Sequence, residues 1–236
     1  MTIGVYLDES EGDSAYVAAG WACPTERWAQ ISDSWQAVLD AHSGIQYFKI
    51  NEAMGLKGQF QGWDVATRDD KIKALVQVIP HEPKFFGHGC YVARTDFDQV
   101  KHRVPRKYRS PYFFCIATSM VFSVAGETQI IGPDKIDFVL DRSREAVVMR
   151  KLFYSDIKPR FPRLGECLDL DDKTTNPLQA ADLCAAALRQ LSEPTPISIP
   201  HISTLDGIVA PLLELRGKAL EDILETSIFK KKAGGA

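Results

Sequence analysis

The chain has 236 residues, 45% of them hydrophobic and 25% charged, and its 28 Lys and Arg against 31 Asp and Glu leave a formal net charge of −3. That balance allows a sizeable core and excludes a disordered or fibrous chain. It also excludes a polycation, so any nucleic-acid contact must come from a local basic patch.

Residues 2–8 read as a strand and Glu11–Ser14 as a turn. Ala15–Cys23 reads as a second strand, so the two predict a hairpin. Pro24 opens a helix with Trp28, Ile31, Trp35, Val38 and Leu39 at helical spacing, ended by His42-Ser43-Gly44. The Trp28/Trp35 stripe is either the core of this helix or a dimer face, the one hint of a homo-oligomer. Tyr47–Ile50 is a short extended piece leading into Asn51–Met54, and Gly55, Gly58 and Gly62 read as turn glycines. Residues 67–78 predict a helix, 84–93 a long strand, and 110–125 a buried helix that is apolar nearly all round. Further elements are expected at 135–140 (strand), 145–158 (helix), 166–170 (strand), 177–191 (helix) and 217–226 (helix), with a Pro-containing loop after Ser192 and a frayed tail from Lys230. The order predicts one α/β domain over 1–236, a mixed sheet flanked by helices, with 24–80 as a helical insertion after the first hairpin.

The N-terminus runs straight into a strand, which predicts no secretory leader. No apolar run approaches the roughly 20 residues that span a bilayer, so no membrane partner is expected. Five cysteines, at 23, 90, 115, 167 and 184, are odd in number and widely spaced. They read as free thiols of a cytoplasmic protein, most of them buried. The five histidines show no H-x-H or H-x-x-x-H spacing, so no zinc site is expected, and His88 reads as structural. No P-loop, dinucleotide fingerprint or G-x-S-x-G occurs.

Acids at the ends of apolar elements carry the chemistry. Ile3-Gly4-Val5-Tyr6-Leu7 ends in Asp8, Glu9 and Ser10, and Ile136–Leu140 ends in Asp141. If these strands are parallel neighbours, about 4.8 Å apart, both aspartates emerge at the carboxyl edge, where open α/β sheets bind ligands. Two carboxylates about 4 Å apart repel by roughly 4 kcal/mol at an effective dielectric of 20. Either one is protonated or a cation lies between them, and Mg²⁺ suits an oxygen-only site. Taken singly, each could equally be a strand-end turn residue. Asp182 lies in the second turn of the otherwise apolar 177–191 helix, where an unpartnered charge is costly. It needs either a metal or an arginine such as Arg142 or Arg189. Asn176, Pro177 and Gln179 read as a capping box opening that helix, with Gln179 sharing a face with Asp182.

Together, Tyr6-Leu7-Asp8-Glu9-Ser10, Phe138-Val139-Leu140-Asp141 and Leu178-Gln179-Ala180-Ala181-Asp182-Leu183 resemble the domain-of-unknown-function 3800 family, which is grouped with the ribonuclease H-like superfamily. The resemblance spans about residues 3–190. It implies a five-stranded mixed sheet and a metal-dependent nuclease-type site, with Asp8, Asp141 and Asp182 where such a fold places metal-binding aspartates. Glu9 and Gln179 match motif positions that carry no assigned role. Ribonuclease H-like sites take a further Glu from the first long helix after the hairpin strands. Helix 110–125 has no acid, so Glu9 or Glu52 would supply the fourth carboxylate. Glu52 lies in a segment resembling one that often bears a His and an acid, with Lys49 at the His position; the other reading of Glu52 is a plain loop acid.

Residues 101–109 hold Lys101, Arg103, Arg106, Lys107 and Arg109 together with His102 and Tyr108. This segment reads either as a track for a phosphate backbone, with Tyr108 stacking on a base, or as a solvated loop. Lys158, Arg160 and Arg163 form a second basic group. Asp171-Asp172-Lys173 reads as a solvated turn, and otherwise as a phosphate or metal contact. The expected function is a Mg²⁺- or Mn²⁺-dependent nuclease acting on RNA or DNA. In it Asp8 bridges two ions and Asp141 and Asp182 hold one each. Glu9 or Glu52 completes the shell, Gln179 positions Asp182 or water, and Ser10 lies behind them. The alternative is a nucleic-acid-binding or protein-interaction module with an incomplete site. A carboxylate-pair glycosidase leaves the basic segment and the Asp182 helix unexplained.

Overall fold

A computed structural model describes residues 1–82, 84–125, 135–192, 199–201, 205 and 213–230. The loop expected around Pro194 and Pro196 and the 231–236 part of the tail lie outside them. The expected hairpin forms from β1 (Thr2–Glu11) and β2 (Ala15–Pro24), antiparallel with Leu7 opposite Gly20 and Asp8 opposite Ala19. β3 (Phe86–Ala93) pairs antiparallel with β2. On the other side of β1 lies β4 (Lys135–Asp141), parallel to it with Leu7 opposite Leu140, followed by β5 (Leu164–Leu170), parallel to β4.

The sheet is mixed, as expected, but has six strands rather than five. Leu213–Leu215 forms β6, parallel to β3, and the order is β5-β4-β1-β2-β3-β6. Three residues are too few to show a period of two.

Side-chain alternation divides the strands between two faces. Ile3, Val5 and Leu7 of β1 and Ile136, Phe138 and Leu140 of β4 face one core. That core is closed by α5 (Pro111–Ala125), α6 (Arg144–Leu152) and α8 (Gly217–Leu224). Phe97 of α4 (Arg94–Val100), a helix just before the basic 101–109 segment, packs there too. Val17, Ala19, Trp21 and Cys23 of β2 face the second core with α1 (Thr25–Asp40), α2 (Ile50–Met54), α3 (Val65–Val78) and α7 (Asn176–Ser192). The helices within residues 24–80 are laid on one face of the sheet. Trp28 and Trp35 are buried in this core, which removes them as a dimer face.

α7 lies close to the sheet because the facing residues are small. A Cβ on Gly20 would come within 3.1 Å of the Ala181 Cβ and 1.8 Å of the Tyr6 carbonyl. Cys184 Sγ donates to the Gly20 carbonyl at 3.2 Å, and Trp21 Nε1 donates to the Ala180 carbonyl at 2.8 Å. This approach brings the first half of α7 against β1 and sets the position of Asp182. All five cysteines are buried free thiols. Among the described residues, no helix is long and apolar enough to cross a membrane.

Candidate active site at the carboxyl ends of β1 and β4

Gly4, Tyr6 and Asp8 alternate onto the α7 face of β1, where the Tyr6 ring meets Trp28 at 4.6 Å. In β4 the residues facing the opposite core are Ile136, Phe138 and Leu140, so Asp141 shares the α7 face with Asp8. Asp182 on α7 meets them there. Glu9, one residue on, falls on the other face of β1, near Tyr112 of α5.

These acids repel one another. Burial raises the Asp8 carboxyl well above the carboxylate range, and Asp182, Glu9 and Asp141 raise it further, against the Glu9 N–H that Asp8 Oδ1 accepts at 2.8 Å. Glu9 is exposed at the rim, yet the protein around its carboxyl, and then Asp141, raise it too. Asp141 is raised by burial and by Asp172, with Lys49 opposing. Burial pushes Asp182 up to about 6, opposed by the Ile50 N–H that it accepts at 2.8 Å and by Lys49. Neither expected arginine pairs with Asp182: Arg142 and Arg150 reach Asp169, and Arg189 donates to the Glu11 carbonyl.

Two further residues belong to the site. Asp172, expected in a solvated turn, is 5% exposed. Its Oδ2 lies 2.5 Å from Lys49 Nζ, which is also 3.9 Å from Asp141 Oδ2. Burial works against the Lys49 charge, but Asp172, Asp141 and Asp8 outweigh it and hold the ammonium above its ordinary pKa. The Asp172 N–H reaches Asp141 Oδ1 at 3.3 Å. Lys49 thus fills part of the place where the sequence suggested a metal.

Gln179 is fully buried, and its role differs from the capping box expected of it. Its Oε1 accepts from Trp35 Nε1 and from the Phe48 N–H, both at 3.0 Å, and its Nε2 donates to the Asp172 carbonyl at 2.9 Å. It therefore positions the segments that carry Lys49 and Asp172, not Asp182 itself. The Asn176 side chain is likewise turned away, to Ser32 and Gln36 of α1.

Glu52 is not brought to the acids. Its carboxylate accepts from the Gln59 N–H at 3.0 Å and Tyr47 Oη at 3.2 Å, and closes over Gly58, whose φ of +56° and lack of a Cβ make room for it. Glu52 is thus a structural acid, on α2 rather than on the loop expected, closing the turn that follows the helix. Ser10 sits beside Glu9 on a cleft of about 190 Å³ that Ser110 and Tyr112 also line.

The basic segment is largely tied up internally. Lys101 pairs with Asp98 (2.8 Å), Arg103 grips Glu221 with both terminal nitrogens (2.7 and 2.8 Å), and Lys107 pairs with Asp156 (2.7 Å). Arg109 donates to the Val104 and His102 carbonyls. Arg106 is exposed and, among the described residues, forms no ion pair. Tyr108 is fully buried with its hydroxyl on Asp156 at 2.8 Å, which overturns its expected stacking on a base. Of the second group, Lys158 pairs with Glu166 and Arg160 with Asp156.

In kind, the donors fit a hard divalent cation: they are carboxylate oxygens whose mutual repulsion a positive ion would relieve. As they stand, they turn to internal partners. Among the described residues, no three Asp, Glu, His or Cys side chains are grouped to enclose an ion. No protein-family model, curated protein or solved structure matches this chain.

Proposed function

We propose that the protein is a divalent-metal-dependent nuclease of ribonuclease H-like type, hydrolysing phosphodiester bonds of RNA or DNA. The observation that carries this reading is the meeting of Asp8, Asp141 and Asp182, from three separate elements on one sheet face, where burial and then the neighbouring acids raise Asp8 well above the carboxylate range. The resemblance to the domain-of-unknown-function 3800 family points the same way.

Asp8, Asp141 and Asp182 would hold Mg²⁺ or Mn²⁺. When bound, the ion supplies Lewis-acid stabilisation of charge and lowers the pKa of water. The chain supplies the rest. Asp8 and Asp182 lie half-buried near one another in the site. Glu9, at the rim with a raised carboxyl, is placed to exchange a proton with an incoming group. Gln179 keeps the Lys49 and Asp172 segments over the acids. Arg106 offers an exposed charge to a phosphate.

A second reading, an interaction module with an incomplete site, is favoured by two observations. Lys49 neutralises part of the acid cluster without a metal, and α5 has no acid. Incubation of labelled single- and double-stranded RNA and DNA with the protein, in Mn²⁺ or in EDTA, separates the two. A nuclease cuts only in Mn²⁺, and Asp8→Asn abolishes both cutting and Mn²⁺ binding. A module binds nucleic acid equally in EDTA and never cuts.

A further inference from the structure

We propose that Lys49 is a built-in cation of this site: its ammonium takes the place beside Asp141 and Asp172 that a second divalent ion would need, so the protein binds one ion, on the Asp8–Asp182 side. The inference rests on the metal-site reading above and fixes its stoichiometry, replacing the two-ion arrangement expected from the sequence.

Position is the first support. Lys49 Nζ lies 2.5 Å from Asp172 Oδ2 and 3.9 Å from Asp141 Oδ2. Both oxygens belong to buried or half-buried carboxylates, and a metal ion ligated there would have to displace the ammonium.

Anchoring is the second. The residues on either side of Lys49 are fixed to α7, through the Phe48 N–H on Gln179 and the Ile50 N–H on Asp182. The lysine is therefore not a surface side chain that wandered in; its backbone is held over the acids at two points.

Charge is the third. A second divalent ion at Asp141 and Asp172 would sit against an ammonium already held there, and like charges at such separations repel strongly in a partly desolvated site.

The test counts bound Mn²⁺ without nucleic acid, by the loss of the free-ion electron paramagnetic resonance signal on titration. Wild type, Lys49→Met, Lys49→Gln and Lys49→Arg are compared, with circular dichroism to check folding. One ion is expected in wild type and in Lys49→Arg, which keeps the charge. Two are expected in Lys49→Met, or in Lys49→Gln should the methionine variant fail to fold. One ion bound with unchanged affinity in all four proteins overturns the role of Lys49 and leaves the metal site intact, as do two ions in wild type. No ion bound by any of them overturns both.

Discussion

Asp182 Oδ2 accepts the backbone N–H of Ile50 at 2.8 Å, joining residues 132 positions apart in sequence. The bond ties the helical 24–80 segment to α7 and so decides what stands over the acid cluster. Because Ile50 is fixed, Lys49 projects toward Asp141 and Asp172; because Asp182 is the acceptor, α7 brings a carboxylate, not an arginine pair, to the carboxyl end of β1.

The first prediction concerns the cost of that carboxylate. The Asp182 pKa is raised to about 6 by burial, so the folded protein binds this proton more tightly than the unfolded chain. The resulting stability is complete below about pH 4 and is lost as the pH rises through about 6. Asn keeps an acceptor for the Ile50 N–H and removes the charge. In EDTA, Asp182→Asn should therefore stabilise the protein by roughly 1–3 kcal/mol at pH 7 and by much less at pH 4. His88 works the other way: burial lowers it to about 4 from 6.5, so it adds stability as the pH rises across that interval. Urea unfolding of variant and wild type at each pH removes its contribution; an equal difference at both pH values would contradict the argument.

The second concerns Gln179. Gln179→Leu leaves the Trp35 indole N–H, the Phe48 N–H and the Asp172 carbonyl without their partner in a fully buried place. Each costs about 1–3 kcal/mol when unsatisfied. A loss of roughly 3 kcal/mol or more in urea unfolding is expected, whereas Gln179→Glu retains the acceptor and should place a further like charge beside the aspartates. A loss under about 1 kcal/mol for the leucine variant would show that these bonds do not hold the site.

The third separates solvent-facing charge from internally paired charge in the basic segment. Arg106→Ala should lower the slope of log affinity for nucleic acid against log salt by about 1. Arg103→Ala breaks a solvent-exposed pair with Glu221, should leave stability nearly unchanged, and should leave the slope unchanged. Equal slopes for wild type and Arg106→Ala would remove this residue from any phosphate contact.

Much of the framework was legible in the sequence because its signals are local. The apolar run before Asp8 marks β1, the similar run before Asp141 marks β4, and a Pro-started run of Ala and Leu marks α7, observed over Asn176–Ser192 against the expected 177–191. Period-two alternation then puts Asp8 and Asp141 on one face. What was not legible depends on distant partners. Asp172 sits in a polar triplet with every local mark of a solvated turn, and only Lys49, far along the chain, makes it a buried ion pair. Gln179 has capping-box spacing from Asn176, yet a buried indole and two backbone groups compete for its amide. Tyr108 lies among cations that suggest a nucleic-acid surface, while Asp156 and Phe229 draw it inward. β6 was missed because three residues carry no pattern.

The central claim is that Asp8, Asp141 and Asp182 form a divalent-metal site. The most direct measurement is a crystal structure of the protein with Mn²⁺, with anomalous diffraction recorded to locate the metal. The account predicts one peak at the three aspartates, within bonding distance of Asp8 and Asp182 and facing Asp141, with Lys49 still beside Asp172. No peak at these residues under saturating Mn²⁺, with the three carboxylates still turned to their internal partners, would contradict it.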